Sequence, residues 1–132
     1  MDERETGTEP DGRARLGARG EQLAADHLAR AGMRILEINW RCGRLGEIDL
    51  VAEDKGVIVF VEVKSKSGEG YGAPEEMLTA WKRRRLAVLA RAYLQRRHWL
   101  TRPARFDVVA VEWEAGGARL RHIRDAFPAE AW

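Results

Sequence analysis

The chain has 132 residues, enough for one domain with a hydrophobic core, and its composition of 45% hydrophobic and 33% charged residues is ordinary for a soluble protein. No apolar run approaches the roughly 20 residues that span a membrane, and the acidic N-terminus lacks the apolar segment of a signal peptide. The single cysteine, Cys42, excludes an intramolecular disulfide and suits a reducing compartment. We therefore expect a cytoplasmic protein without a membrane partner.

The net charge of +2 is small, but the charges are unevenly distributed along the chain. Between Met77 and Phe106 there are nine Lys or Arg residues and neither Asp nor Glu. A one-sided basic block of this kind is the electrostatic footprint expected beside a polyanion such as a nucleic acid. A solvated helix face is the alternative interpretation.

The first part of the chain predicts a tail, a helix and a strand. Residues 1–12 carry glycine, proline and acids without apolar periodicity, which predicts a disordered tail before a single domain at 13–132. Apolar residues recur near helical spacing from 13 to 31. Glu21 lies at the edge of that apolar stripe, where it can turn inward or remain a surface acid near the helix start. The loosely alternating residues 33–39 predict the first strand.

The connection after this strand, residues 40–45, carries Arg41 and Arg44 beside Trp40. Such a loop can contact phosphate groups or stack on a base, although an arginine-rich turn is also an ordinary means of keeping a loop soluble. Both arginines are therefore candidate nucleic-acid contacts.

Two apolar, β-branched segments, 46–51 and 57–64, predict a β-hairpin. The second segment is an almost uninterrupted run of Val, Ile and Phe, which predicts a strand buried on both faces. Because strand side chains alternate, Glu62 and Lys64 share one face of this strand. Charged residues at the end of a buried strand require a partner or an ion.

The turn of the hairpin decides whether Asp49 lies beside Glu62. A two-residue turn at Lys55-Gly56 or a four-residue turn pairs the two acids, whereas a three-residue turn without a bulge separates them. Adjacent carboxylates repel each other unless a cation lies between them, and Mg²⁺ or Mn²⁺ suits such oxygen ligands. Beside that ion, Lys64 can hold or deprotonate a water. The pattern is typical of a metal-dependent phosphodiesterase; an exposed hairpin with an ordinary Glu–Lys pair is the alternative.

Residues 65–72 are rich in Ser, Gly and Lys and include Lys66. This segment directly follows the strand that carries Glu62 and Lys64, so it is placed to cover bound nucleic acid as a flexible flap. An ordinary crossover between a strand and a helix is the competing interpretation.

Pro74, followed by two glutamates, predicts the start of a helix that runs to about Arg97. Its buried stripe is formed by apolar residues at helical spacing between 86 and 94. Lys82 lies on the same sector one turn earlier, so we expect it to contact phosphate, with Arg83 to Arg85 as auxiliary contacts.

The C-terminal part predicts two strands, 105–113 and 119–123, joined by a turn at Gly116-Gly117. Asp107 in the first of them can form a salt bridge with Arg105 or with a neighbouring strand. Its role is expected to be structural.

The charged residues of the hairpin, Asp49 followed by Val61-Glu62-Val63-Lys64, resemble the PD-(D/E)xK nuclease signature. The longer segments around them are similar to the YraN-type family of small bacterial proteins, which is related to Holliday-junction resolvases. Ile48 stands in place of the proline of the signature, a departure that does not affect the chemistry. The resemblance covers about residues 15 to 110, and its further elements are Gly17-Ala18-Arg19-Gly20-Glu21, Gly46-Glu47-Ile48-Asp49-Leu50-Val51, Asn39-Trp40-Arg41, Lys82 and Arg105-Phe106-Asp107-Val108.

This resemblance implies a restriction-endonuclease-like fold and a Mg²⁺- or Mn²⁺-dependent endonuclease. Asp49 and Glu62 would hold the metal, Lys64 would assist the attacking water, and Glu21 on the first helix would supplement the site. Resolvases work as dimers in order to cut two strands, so the resemblance also implies a homodimer.

The order helix, strand, hairpin, helix, strand, strand predicts an α/β domain with a mixed sheet flanked by helices. Three functions fit the sequence: an endonuclease acting on structured DNA such as a branched junction, a nucleic-acid-binding module on the same scaffold without effective catalysis, and a structural or adaptor protein. The complete set of Asp49, Glu62 and Lys64 argues against the third and weakly against the second.

Overall fold

The computed structural model describes residues 12–67 and 78–128, except for the side chains of residues 12–16 and 67. It contains two helices and five strands in these ranges. In chain order they are α1 (Gly12–Arg30), β1 (Arg34–Cys42), β2 (Gly46–Asp54), β3 (Val57–Ser67), α2 (Ala80–Arg96), β4 (Ala104–Glu114) and β5 (Gly117–Phe127).

The five strands form one sheet in the order β1-β2-β3-β4-β5. Neighbouring strands are antiparallel except β3 and β4, which are parallel. A parallel pair needs a crossover connection, and the segment that contains α2 provides it here. The predicted mixed α/β architecture is confirmed, and it is compatible with the restriction-endonuclease-like fold.

The helices cover opposite faces of the sheet, which creates two cores. One core packs α1 residues such as Leu28 against one side of the strands, and the other packs α2 residues such as Tyr93 against the opposite side. The central strand β3 contributes to both, because Phe60 belongs to the α2 core while Val59 and Val61 belong to the α1 core. The predicted burial of this strand on both faces is confirmed. No helix in the described ranges is both long enough and apolar enough to cross a membrane.

A two-residue turn joins β2 to β3. Asp54 pairs with Val57, and both turn residues have positive φ, 51° at Lys55 and 90° at Gly56. Two positive φ angles are typical of the type I′ turn, whose twist matches that of the flanking strands. This is the two-residue turn that the sequence allowed, and it brings Asp49 level with Glu62 on the neighbouring strand.

Several predicted strand boundaries were wrong because strand pairing extends further than local composition indicates; β2, for example, runs to Asp54 rather than to Val51. Residues 40–42, predicted as a connection, continue β1 and pair with β2. Residues 65–67 of the predicted flap continue β3 and pair with β4 as far as Trp113. The last strand also extends beyond 119–123, to Phe127.

The second helix begins at Ala80 rather than at Pro74. Thr79 is its N-cap, and its hydroxyl oxygen accepts the backbone N–H of Lys82 at 3.1 Å, which satisfies one of the free donors of the first turn. Residues 68–77, which include the rest of the predicted flap and the predicted helix start, lie outside the described residues. The predicted tail does so as well, except Gly12, where α1 begins.

Candidate functional site

Strands β2 and β3 part at the position of the predicted catalytic acids. Their pairing ends at Leu50 and Val61, although β2 continues beside β1 and β3 continues beside β4. The next residues on the two strands are Asp49 and Glu62. We call this divergence of β2 and β3 beyond Leu50 and Val61 the fork. Asp49 Oδ2 accepts the backbone N–H of Val63 at 2.8 Å, so a side-chain hydrogen bond across the fork replaces the next backbone hydrogen bond of the ladder.

The regular alternation of side chains between the two faces of the sheet is also broken in β2 at Asp49. Ile48 belongs to the α2 core, whereas Leu50, two residues further on, belongs to the α1 core. In a regular strand these two residues would share a face. On the adjacent strand, Asn39 has a positive φ of 55° at the corresponding position. This irregularity allows Asp49 to face groups from both sides of the sheet.

Three acidic side chains meet at the fork. Burial, followed by the negative charge of Glu62, raises the pKa of Asp49 to about 8. Glu21 contributes in the same direction through its charge and a hydrogen bond, while the N–H of Val63 opposes the rise. Asn39 Nδ2 donates to Glu21 Oε1 at 2.9 Å and fixes that side chain. Glu21, which the sequence placed at the edge of the helix stripe, therefore faces the fork.

Two lysines surround the buried carboxylate of Glu62. Lys82 Nζ lies 3.1 Å from Glu62 Oε2, and Lys64 Nζ lies 3.7 Å from the same oxygen. Burial and the neighbouring Lys82 lower the pKa of Lys64. The pKa of Lys82 is raised instead: burial alone would lower it, but the contacts of Lys82 with Lys64 and Glu62 outweigh the effect of burial. Of the two lysines, Lys64 is the one poised to give up a proton.

The fork opens into a cavity of about 270 Å³ beside the first turns of α2. Acids form one part of its lining, cations another, and an exposed tryptophan a third. The lining residues are Glu47, Asp49, Glu62, Trp81, Lys82, Arg85, Leu86 and Leu89. A second, more open cavity of about 330 Å³ lies beside α1, and it is lined by Gly17, Ala18, Glu21, Asn39, Arg41 and Glu47.

Three of the six predicted nucleic-acid contacts, Arg41, Lys82 and Arg85, line these cavities. Lys82 and Arg85 line the cavity beside α2, and Arg85 donates to the carbonyl of Arg44 at a long distance of 3.5 Å. Arg41 lines the second cavity, where it donates to Glu47 at 3.3 Å. Lys82 and Arg85 thus lie at the cavity into which the fork opens and Arg41 at the second cavity, whereas Arg44 lines neither.

The other two predicted contacts are held elsewhere. Lys66 Nζ lies 3.8 Å from Glu112 on the neighbouring strand. Arg83 donates to the carbonyl of Leu78 at 3.2 Å and lies over the ring of Phe127. Neither residue lines the two cavities.

Sequence reasoning assigned no role to Asn39, Glu47 and Trp81, which the fold places at the fork. Asn39 and Glu47 lay inside the segments that carried the family resemblance, so a signal existed without a function attached to it. Trp81 lay beside Lys82 in the sequence, but its place in the same cavity as Asp49 depends on where α2 begins and how it packs on β2. Such tertiary relations have no local sequence pattern.

The acids at the fork fit a divalent cation in part. Among the described residues, no group of three or more acidic, histidine or cysteine side chains is assembled as a metal site. Asp49 and Glu62 nevertheless offer the one or two carboxylates with which Mg²⁺ is commonly bound, waters and phosphate oxygens completing its shell. Burial first, and the charge of Glu62 second, raise the pKa of Asp49, so a positive charge beside it would favour its ionised form.

Comparison with known proteins gives the family. The model of the uncharacterised protein family UPF0102 matches residues 20–111. A UPF0102 protein of Symbiobacterium thermophilum is 53% identical over 87% of this chain and 98% of its own length, and one of Rhodococcus opacus is 49% identical over 85% and 95%. The solved structure of Pyrococcus furiosus SfsA in complex with Ca²⁺ is similar over 84% of this chain and 63% of that chain, with 16% identity and a TM-score of 0.38. The predicted YraN-type resemblance is confirmed, and the chain belongs to the UPF0102 family.

Proposed function

We propose that this protein is a metal-dependent endonuclease that hydrolyses phosphodiester bonds in structured DNA, including branched junctions. The observation that carries the proposal is the convergence of Asp49, Glu62 and Lys64 at the fork between β2 and β3. These three residues are the ones that resemble the nuclease signature, and they meet beside a cavity lined by cations.

Asp49 and Glu62 are the residues that would hold Mg²⁺ or Mn²⁺. When bound, such an ion would polarise a phosphate oxygen and increase the acidity of a water. The support for this assignment is the electrostatic state of the fork, where burial and the neighbouring acids keep the pKa of Asp49 near 8. A cation would relieve that repulsion.

The remaining groups are suited to handle protons and phosphate. Lys64, whose pKa burial lowers, can accept a proton at Nζ from an attacking water more readily than an exposed lysine. Lys82 and Arg85 can pair with phosphate oxygens on the α2 side of the cavity. Glu21, held by Asn39, can orient a water or complete the acidic side of the fork.

A nucleic-acid-binding module without effective catalysis is the second candidate. One observation favours it: Lys82 and Lys64 already neutralise the carboxylate of Glu62, at 3.1 and 3.7 Å. In this case the cations of the cavity would bind the phosphate backbone, and affinity would fall steeply with salt. The predicted homodimer remains a prediction under either function.

Cleavage assays separate the two candidates. Labelled four-way junction, flap, duplex and single-stranded DNA, with RNA equivalents, would be incubated with Mg²⁺, Mn²⁺ or EDTA. The enzymes would be wild type, Asp49→Asn, Lys64→Met and, as a control, Lys55→Asn at the exposed turn at the opposite end of the hairpin. Asparagine is favoured at the positive φ of that turn, so this control removes a lysine without straining the backbone.

The endonuclease predicts cleavage that EDTA abolishes, that Asp49→Asn and Lys64→Met reduce by at least about 100-fold, and that Lys55→Asn retains. Salt-sensitive binding without cleavage would contradict catalysis and support the binding module. Absence of both cleavage and binding would contradict both candidates.

A further inference from the structure

Trp81 is a large aromatic side chain that the fold leaves at the surface. It lies in the first turn of α2, and 61% of it is exposed. The buried residues of this helix are all found from Leu86 to Leu94, so Trp81 does not belong to the core. Leaving a side chain of this size in water forgoes the stabilisation that its burial would bring.

The ring of Trp81 is held beside a cation and next to the acids. The guanidinium carbon of Arg85 lies 5.3 Å from the ring centroid, the distance of a cation–π contact. Both residues line the same cavity as Asp49 and Glu62. An aromatic surface, a cation and the candidate catalytic acids therefore share one small space.

The chemistry of this cavity matches the two parts of a nucleotide. An aromatic ring stacks on a base whatever its identity, and Arg85 and Lys82 complement the negative phosphate. A base within a duplex already has both faces covered by its neighbours, so it cannot stack on Trp81. Only an unpaired or displaced base can do so.

We propose that Trp81, supported by Arg85, is a stacking platform for an unpaired nucleobase adjacent to the acids of the fork. The substrates of the site are accordingly nucleic acids with an unpaired nucleotide beside the bond to be cut, such as single strands, flaps or junctions, rather than continuous duplex. This inference rests on the proposed nucleic-acid function of the same site.

Binding in EDTA tests the platform without any dependence on turnover. Fluorescence anisotropy would measure the Kd of a labelled twelve-residue oligothymidylate, of an abasic oligomer of the same length, and of a blunt duplex. The abasic oligomer keeps the phosphates but has no bases to stack. The proteins would be wild type, Trp81→Ala, Trp81→Phe and the control Val88→Ala, which alters another exposed apolar residue of α2 that does not line the cavity.

Stacking predicts that Trp81→Ala weakens oligothymidylate binding by about tenfold or more, and that Trp81→Phe recovers most of the loss. Trp81→Ala should leave the affinities for the abasic oligomer and the duplex within about twofold of wild type, and Val88→Ala should change none of the three. Equal losses on the oligothymidylate and the abasic oligomer, or no loss on either, would overturn the platform.

The outcomes for the platform and for catalysis are distinguishable. If the base-dependent loss is found but no substrate is cleaved with Mg²⁺ or Mn²⁺, the platform stands and the endonuclease fails. If DNA is cleaved and Trp81→Ala has no base-dependent effect, the endonuclease stands and the platform fails. If wild type binds none of the three ligands, the platform is overturned as well.

Discussion

Asp49 is a buried carboxyl group whose surroundings oppose its own charge. Its pKa of about 8 results first from burial and then from the charge of Glu62, and the N–H of Val63 compensates only in part. In the absence of a cation, ionisation of this residue costs the folded state free energy that the unfolded chain does not lose. The clustered acids of the fork therefore lower the stability of the folded protein when Asp49 is ionised, and strongly shifted pKa values of this kind are common at functional sites.

Asp49→Asn should stabilise the protein, and more so at high pH. The folded pKa of about 8 lies above the ordinary value of 3.8, so between these limits the folded state binds more protons than the unfolded state. The wild-type contribution of Asp49 to stability is therefore most favourable below pH 3.8 and is progressively lost as the pH rises towards 8. Asparagine does not titrate, and its amide oxygen can still accept the N–H of Val63.

Urea unfolding at pH 5 and pH 8 measures this effect. The gain in the free energy of unfolding from Asp49→Asn should be larger at pH 8 than at pH 5 by at least about 1 kcal/mol, because a tenfold change in proton affinity corresponds to about 1.4 kcal/mol. Lys55→Asn, which leaves Asp49 and Glu62 in place, should show no such difference between the two pH values. A gain that is independent of pH would contradict the raised pKa of Asp49.

Asp107 shows how the same residue type stabilises the fold when it is paired. It is fully buried, but Arg105 Nε donates to it at 3.0 Å, the N–H of Asp125 donates at 2.9 Å, and His122 Nε2 lies 2.8 Å away. Burial raises the pKa of Asp107, but these hydrogen bonds outweigh it and bring the pKa below its ordinary value. The predicted salt bridge with Arg105 is confirmed.

Asp107→Asn should destabilise the protein by about 3 kcal/mol at pH 7, since it removes one partner from a buried charged pair. The contribution of Asp107 is present above its unfolded pKa of 3.8 and is lost as the pH falls through the lower folded value. The difference in unfolding free energy from wild type should therefore shrink below about pH 3.8. Urea unfolding at pH 7 and pH 3 tests this, and a loss of the same size at both values would contradict the role of the carboxylate.

At the scale of secondary-structure elements, Gly20 brings the backbone of α1 close to β3. A Cβ at this position would clash with the hydroxyl oxygen of Ser65 on β3, whereas it would lie 3.6 Å from the Cβ of Ser65, an ordinary contact. The absence of a side chain at Gly20 thus permits the close packing that brings the next residue, Glu21, to the fork. The buried Ser65 Oγ has no hydrogen-bond partner, so this hydroxyl group contributes no hydrogen bond to the stability of the packing between α1 and β3.

The effect of Gly20→Ala should depend on Ser65. In wild type the added methyl group should destabilise the protein by about 1–3 kcal/mol through overpacking. In a Ser65→Ala background the clash is absent, and the same substitution should stabilise by up to about 1 kcal/mol because alanine favours helix over glycine. Chemical denaturation of the four proteins forms a double-mutant cycle. The same loss in both backgrounds would show that Ser65 does not set the spacing.

Elements could be predicted from the sequence where the determining pattern is local. The apolar run before Glu62, the positive-φ turn at Gly56 and the apolar stripe of α2 each lie within a short segment, and each was predicted. The fork was not, because it arises where β2 remains with β1 while β3 remains with β4. Nor did any local pattern indicate the ion pair of Lys82 with Glu62, which depends on how α2 docks.

At the scale of the whole molecule, the fork is assembled from four separate elements. α1 supplies Glu21, β2 supplies Asp49, β3 supplies Glu62 and Lys64, and α2 supplies Lys82. These residues are far apart in the sequence, so the unfolded chain has no equivalent cluster. A cation that binds between the acids would therefore bind the folded state alone and raise its stability by mass action.

Mn²⁺ should accordingly raise the Tm of the wild-type protein, independently of any cleavage. At a free concentration 100 times the Kd, the stabilisation expected from linkage is about 2.7 kcal/mol. Asp49→Asn should abolish the concentration dependence of Tm, because it removes a carboxylate ligand, even though it stabilises the metal-free protein. Lys55→Asn should respond as wild type does.

Lys82→Met should have the opposite effect to Asp49→Asn and strengthen the response of the protein to Mn²⁺. Lys82 Nζ lies 3.1 Å from Glu62 Oε2, where it neutralises one of the two carboxylates that would hold a metal. Removing this competing cation should lower the Mn²⁺ concentration needed for half of the Tm increase, even if it weakens DNA binding.

A wild-type Tm that does not respond to Mn²⁺, or an equal response in Asp49→Asn, would contradict a metal site at the fork. The ion pairs of Glu62 with Lys64 and Lys82 would then be a permanent part of a binding surface, and the binding module would be the better account of the molecule.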